Sequence, residues 1–140
     1  MTEQEYNVTA MLDREAIRDL VTCYCDAIWR GDIVTVVDLF TKDGSVQVLN
    51  GPMTAKEATG HDKLYAFYIT GMKEMTPRPF PHGHWVELRG NYHAAGRVYV
   101  ELRSSIDFSW VGAVVYSDDY VKIDGRWRIQ RREVHIASMS

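Results

Sequence analysis

The sequence predicts an α+β domain in which helices come first and an antiparallel meander then curves over them. Three observations carry that expectation. Ile17, Leu20, Val21, Tyr24 and Ile28 recur at the spacing of one helix face. Two runs of β-branched and aromatic residues, one with Val121 and Ile123 and the other with Trp127 and Ile129, meet at Asp124-Gly125. That dipeptide suits the positive φ angles of a tight hairpin. Finally, most strand-like runs follow the last helical pattern.

The elements read in order as follows. Residues 1–12 are expected to form a loose arm, and residues 13–140 a single domain. Asp13 is placed to cap a helix that runs to Arg30, with Glu15 favourably near its positive end. Gly31-Asp32 ends it, and Asp32 caps a short second helix carrying Val36, Leu39 and Phe40. Ser45–Leu49 reads as a strand closed by Asn50-Gly51-Pro52. Leu64, Phe67, Tyr68 and Met72 mark a third helix beginning near Gly60. Pro77, Pro79 and Pro81 suggest an extended linker, since proline cannot donate to a central ladder. Strands are expected at His82–Leu88, Ala94–Arg103, Trp110–Ile123 and Arg126–Ile136, with Gly96 and Gly112 marking bends or close backbone approach. A long twisted sheet over a helix makes a cone whose mouth is a natural small-molecule cavity.

At 140 residues, the chain is long enough to bury one core without staples. An apolar share of 46% and a charged share of 25% are ordinary for a globular protein. A net charge of -3 gives no reason to expect nucleic acid or an anionic membrane as partner. Arg126, Arg128, Arg131 and Arg132 read as a solvated sheet face. Cys23 and Cys25, two apart on a helix, point about 200° away from each other and are expected as free thiols. With an acidic, polar N-terminus and no long apolar run, the expected location is the cytoplasm.

His82 and His84 share strand parity with Val86 and Leu88. If that face lines a cavity, burial would lower the imidazole pKa and leave a neutral general base. The plain alternative, histidines that hold the loop or meet solvent, stays open for both. His135 shares parity with Trp127 and Ile129 in a strand without a bulge, which makes it a second polar contact. Tyr24 lies on the apolar helix face, equally suited to a substrate oxygen or to a satisfied core. Trp29, Phe67, Tyr68 and Tyr116 belong to an aromatic supply that favours a flat hydrophobic ligand. His-x-His is also a metal-ligand spacing, but Glu87 has the opposite parity and His93 sits in a turn, so no metal is expected. Phosphate-loop, dinucleotide-binding and serine-hydrolase motifs are absent from the sequence.

The run of helix, Arg30-Gly31-Asp32, short helix and Leu39-Phe40-Thr41-Lys42-Asp43-Gly44, with the closing hairpin Tyr120–Ile129, resembles the nuclear-transport-factor-two-like superfamily. Its SnoaL-like branch is the closer resemblance. That branch includes polyketide cyclases, scytalone dehydratase, a hexachlorocyclohexane dehydrochlorinase and bile acid 7α-dehydratase. The likeness spans residues 12–136 and implies a cystatin-like, cone-shaped barrel with a strongly curved sheet around N-terminal helices. In dehydratase-like members a helix-1 tyrosine is followed five residues later by an aspartate that orients a histidine base. Tyr24 matches the tyrosine, Trp29 stands at the aspartate position, and the histidine falls at Pro81 or at His82, according to the alignment.

The resemblance implies a cofactor-free lyase or isomerase acting on a small polycyclic, aromatic or terpenoid molecule. His84 or His82 would be the base, Tyr24 the hydrogen-bonding partner and His135 a further contact. A non-catalytic binding or accessory domain is the alternative, favoured by Trp29. The resemblance also implies a homodimer through the outer face of the sheet.

Overall fold

The computed structural model describes residues 2–75 and 77–140. Helix α1 spans Glu3–Arg30, α2 Ile33–Asp38 and α3 His61–Met75. The strands are β1 (Phe40–Val48), β2 (Glu57–Thr59), β3 (Pro77–Arg89), β4 (His93–Ser104), β5 (Trp110–Ile123) and β6 (Arg126–Met139). They form one curved, unclosed sheet in the order β2-β1-β6-β5-β4-β3. Neighbours are antiparallel except β1 and β6, which run parallel, so the sheet is mixed rather than wholly antiparallel.

Helix α1 begins ten residues before the expected cap, and residues 3–12 are helical rather than a loose arm. Thr2 and Glu5 form a capping box that satisfies two backbone N–H groups at that end. Asp13 lies inside the helix and accepts from Trp127 Nε1 at 3.0 Å and Lys122 Nζ at 3.1 Å. It ties α1 to the closing hairpin instead of starting the helix. Gly31 ends α1 in the left-handed region at φ 68°, and Asp32 caps α2 by accepting from the Thr35 N–H.

The core lies between the helices and the concave face of the sheet. Ile17, Ala27, Val36, Phe40, Leu64, Val98 and Ile129 are all completely buried there. At the far end of the sheet, the expected proline linker is the first half of β3, paired with β4 from Pro77↔Ser104 onward. Pro77, Pro79 and Pro81 alternate, so their nitrogens all turn to the free edge of the outermost strand. Nothing in the ladder is lost. The Asp124-Gly125 turn has φ values of 52° and 78°, as a tight hairpin requires.

Two bulges set the face on which later residues lie. In β3 the pairing slips between Pro81 and Gly83, leaving His82 as the extra residue. In β6, Tyr120 pairs with Ile129 and Asp119 with Arg131, which makes Gln130 extra. After Gln130 the inward positions become Arg132, Val134 and Ile136, whereas before it they are Trp127 and Ile129.

Candidate functional site

Between α1, α3 and the concave sheet lies a cavity of about 90 Å³. Its walls are apolar, with Ile28, Val46, Phe67, Leu102, Val114 and Ile136 among them. Met53, Met72 and Met139 also line it, and the polar groups come from Tyr24, Tyr68 and Tyr116. Among the described residues no carboxylate, imidazole, amine or thiol lines it.

The tyrosines are arranged as a set. Tyr24 donates to the Tyr68 hydroxyl at 2.9 Å, and the Tyr24 ring meets those of Tyr68 and Tyr116 edge-on, each at 5.9 Å. Among the described residues the Tyr116 hydroxyl has no hydrogen-bond partner within the protein. Burial raises the pKa of all three phenols, and the nearby Arg132 charge only partly offsets it. They are protonated donors at neutral pH.

Behind the rings is a buried ion pair. Arg132 Nε and Nη2 reach the two Asp118 carboxylate oxygens at 2.8 and 2.7 Å. The guanidinium carbon sits 4.3 Å from the Tyr24 ring centre and 4.1 Å from that of Tyr116. Burial works against the arginine charge, yet Asp118 and the tyrosine rings hold its pKa above the usual range. Among the described residues, the buried Arg132 Nη1 has no hydrogen-bond partner. Arg132 is 0% exposed, so it acts on the cavity through the two rings rather than by contact.

The pair continues outward. Tyr120 donates to Asp118 Oδ2 at 2.6 Å, and His84 Nε2 lies 3.1 Å from the Tyr120 oxygen. Because the Tyr120 proton is already committed to Asp118, His84 must donate through Nε2–H, which leaves Nδ1 with a free lone pair. Desolvation lowers the His84 pKa to about 4, with Arg132 and Arg18 assisting and Asp118 opposing. The imidazole is neutral at pH 7. Gly96 makes this approach possible, because a Cβ there would stand 2.8 Å from the Trp85 carbonyl and 3.0 Å from the Tyr120 ring.

Tyr24, Phe67, Tyr68 and Tyr116 therefore line the cavity, whereas the other sequence-derived candidates lie elsewhere. His84 is half-buried in the network behind it. His82, turned outward by its bulge, is exposed and lies 3.2 Å from Glu101. His135 is exposed because the Gln130 bulge reverses the parity on which its inward placement depended. Trp29 packs on Phe80 and Phe108 and donates to the Pro79 carbonyl at 2.9 Å, outside the cavity lining. Arg132, expected on a solvated face, is the largest fully buried side chain. Asp118 and Tyr120 are functional residues outside the sequence-derived candidates, although they alternate with the inward Val114 and Tyr116; the inward place of Arg132 depends on the bulge, which the sequence does not announce.

Cys23 is exposed and Cys25 buried, both as free thiols. Among the described residues no cluster of three metal-ligating side chains occurs, and no helix is long and apolar enough to cross a membrane.

A model of the SnoaL-like domain matches residues 9–133, and the chain belongs to that family. A comparison with curated proteins gives no match. Solved structures share the fold. A protein of unknown function with a cystatin-like fold from Nostoc punctiforme is 18% identical, with 89% of this chain and 91% of that one covered and a TM-score of 0.81. A scytalone dehydratase-like protein of Novosphingobium aromaticivorans is 19% identical, with coverage of 96% and 90% and a TM-score of 0.79. A ring hydroxylase-like protein of the same organism is 22% identical, with coverage of 91% and 90% and a TM-score of 0.73. At these identities the likeness carries the fold alone.

Proposed function

We propose that the protein binds a small hydrophobic molecule bearing an oxygen function and acts on it as a cofactor-free lyase or isomerase. The observation that carries this reading is the apolar cavity whose polar groups are three protonated tyrosines, one with an uncommitted hydroxyl. Such hydroxyls donate to a carbonyl or alkoxide and strengthen as negative charge develops on it. Arg132, face to face with two of the rings, adds positive potential without direct contact. Dehydration, the reaction that the name of one structural neighbour suggests, and double-bond isomerisation both develop charge on such an oxygen.

His84 is the proposed base, since it is neutral and keeps a free Nδ1 lone pair. It stands outside the cavity lining with Nε2–H already directed at Tyr120, so the proton must reach Nδ1, through water or by substrate approach on the side away from Tyr120. The second reading, a binding or accessory domain without turnover, is favoured by the lack of a titratable base among the described lining residues.

One experiment separates the two. Cyclic enones and phenols are screened for binding by intrinsic fluorescence, and bound compounds are incubated and checked for conversion by mass spectrometry. Conversion that survives Tyr116→Phe and His84→Gln unchanged rules out the proposed mechanism. Binding with no conversion of any bound compound favours the accessory role.

We also propose a homodimer through the outer sheet face, where Trp85, Tyr99 and Trp110 are exposed and Arg97 stacks on Trp85 at 4.9 Å. Light scattering at micromolar concentration tests it, and a monomeric mass would count against it.

A further inference from the structure

Gly71 lies in the interior of α3 (His61–Met75), has ordinary helical backbone, and lines the cavity. Glycine inside a helix is less favourable than alanine, because it gives up more backbone freedom on folding. Among the described residues no close packing explains its presence: a Cβ built there would meet only the Met53 Cε, at 3.4 Å, the far end of a flexible side chain. The backbone needs no glycine at that position, and neither does any neighbouring element among the described residues. What a side chain would take is cavity space.

Met53, the facing residue, is carried by a loop that is pinned in place. Asn50 accepts from the Ile136 N–H at 2.8 Å and donates to the Ile136 carbonyl at 3.0 Å, closing the loop onto β6. Gly51, at φ 90°, crosses the Ile136 side chain where any Cβ would collide. The loop backbone is thus fixed, and adjustment falls to the thioether chain of Met53, which has three rotatable bonds. The volume is also restrictive. The cavity is partly open to solvent, but its inner space of about 90 Å³ is smaller than the roughly 150 Å³ apolar cavity that suffices for benzene.

We infer that Gly71 and Met53 together set the size limit of the ligand, so that the cavity takes a single-ring molecule once Met53 swings aside and rejects fused-ring ones. This inference rests on the binding function proposed above and narrows its substrate class. It replaces the broader expectation of polycyclic ligands.

The test is a ring series, phenol, 2-naphthol and 9-phenanthrol, titrated by fluorescence into the wild type, Gly71→Ala and Met53→Ala, with thermal melting of each protein alone. The wild type is expected to bind phenol and to bind 2-naphthol at least tenfold more weakly. Met53→Ala should close that gap. Gly71→Ala should weaken phenol by tenfold or more while melting no lower than wild type. Wild-type preference for the larger rings overturns the inference alone, as does a size profile untouched by both substitutions. A lower melting point for Gly71→Ala, with phenol affinity kept, assigns the glycine to packing and also overturns it. No binding of any probe by any of the three proteins overturns both this inference and the binding function beneath it.

Discussion

Arg132 and Asp118 face each other across β6 and β5 with both side chains fully buried and two hydrogen bonds, at 2.8 and 2.7 Å, between them. Desolvating two charges is costly, and only close geometry with further hydrogen bonds offsets it. Tyr120 supplies one such bond to Asp118, and the Tyr24 and Tyr116 rings cover the arginine. The pair is thus a fixed source of charge beside the cavity, and it is vulnerable to loss of either member.

Removing one partner leaves an uncompensated charge in the core. Asp118→Ala should destabilise the fold by about 3–5 kcal/mol in urea unfolding. The double variant Asp118→Leu with Arg132→Met should recover most of that loss, because no charge stays buried. Equal destabilisation by single and double variants would show that the ion pair is not what the single change disturbs.

The tyrosines should respond differently from one another. Tyr24→Phe removes the donor to Tyr68 and should lower stability by about 1 kcal/mol. Tyr116→Phe loses no protein hydrogen bond and should change stability by about 0.5 kcal/mol or less, while weakening any oxygen-bearing ligand. Calorimetry of both variants, with and without ligand, checks the contrast.

The His84 titration predicts a pH dependence with a definite sign. Its folded pKa, lowered to about 4, lies below the ordinary 6.5. Between those values the unfolded chain holds a proton that the native chain does not, so stability falls as pH drops through that window. Above 6.5 the contribution vanishes. His84→Gln should flatten this part of the stability profile. In the wild type, one histidine ring resonance should stay unmoved from pH 8 down to 5.5.

Deleting Gln130 removes the bulge and restores uniform alternation along β6. Because Gln130 is the extra residue, Ile129, Arg132, Val134 and Ile136 would keep their inward places and His135 would stay outside. We expect cooperative thermal unfolding to be kept, with the Arg132–Asp118 pair intact. Loss of the sharp transition would show that the bulge itself, and not only the alternation on either side of it, is required.

How much of this was legible in the sequence varies by element. The apolar stripe from Ile17 to Ile28, the Gly31-Asp32 break and the Asp124-Gly125 turn are local, and each folded as its own pattern dictates. The first turns of α1 are not legible as helix, because they carry exposed apolar residues at Tyr6, Val8, Met11 and Leu12 without the periodic core face. The prolines of β3 look like a linker in sequence, which does not say which strand is the sheet edge. The cavity tyrosines are accessible to pattern reading, and so are Asp118 and Tyr120 by their alternation with Tyr116.

The sequence by itself determined the apolar face of α1, its break at Gly31-Asp32, the closing hairpin and the family, because those depend on contacts within a few residues or on patterns spread along the chain. Tertiary structure alone decided which charged groups go inside. One unpaired residue in a strand reverses the face of all that follow, and the strand's own alternation does not announce it. Thus Arg132 lies at the centre and His135 in solvent, although the bare alternation of β6 assigns them the other way round.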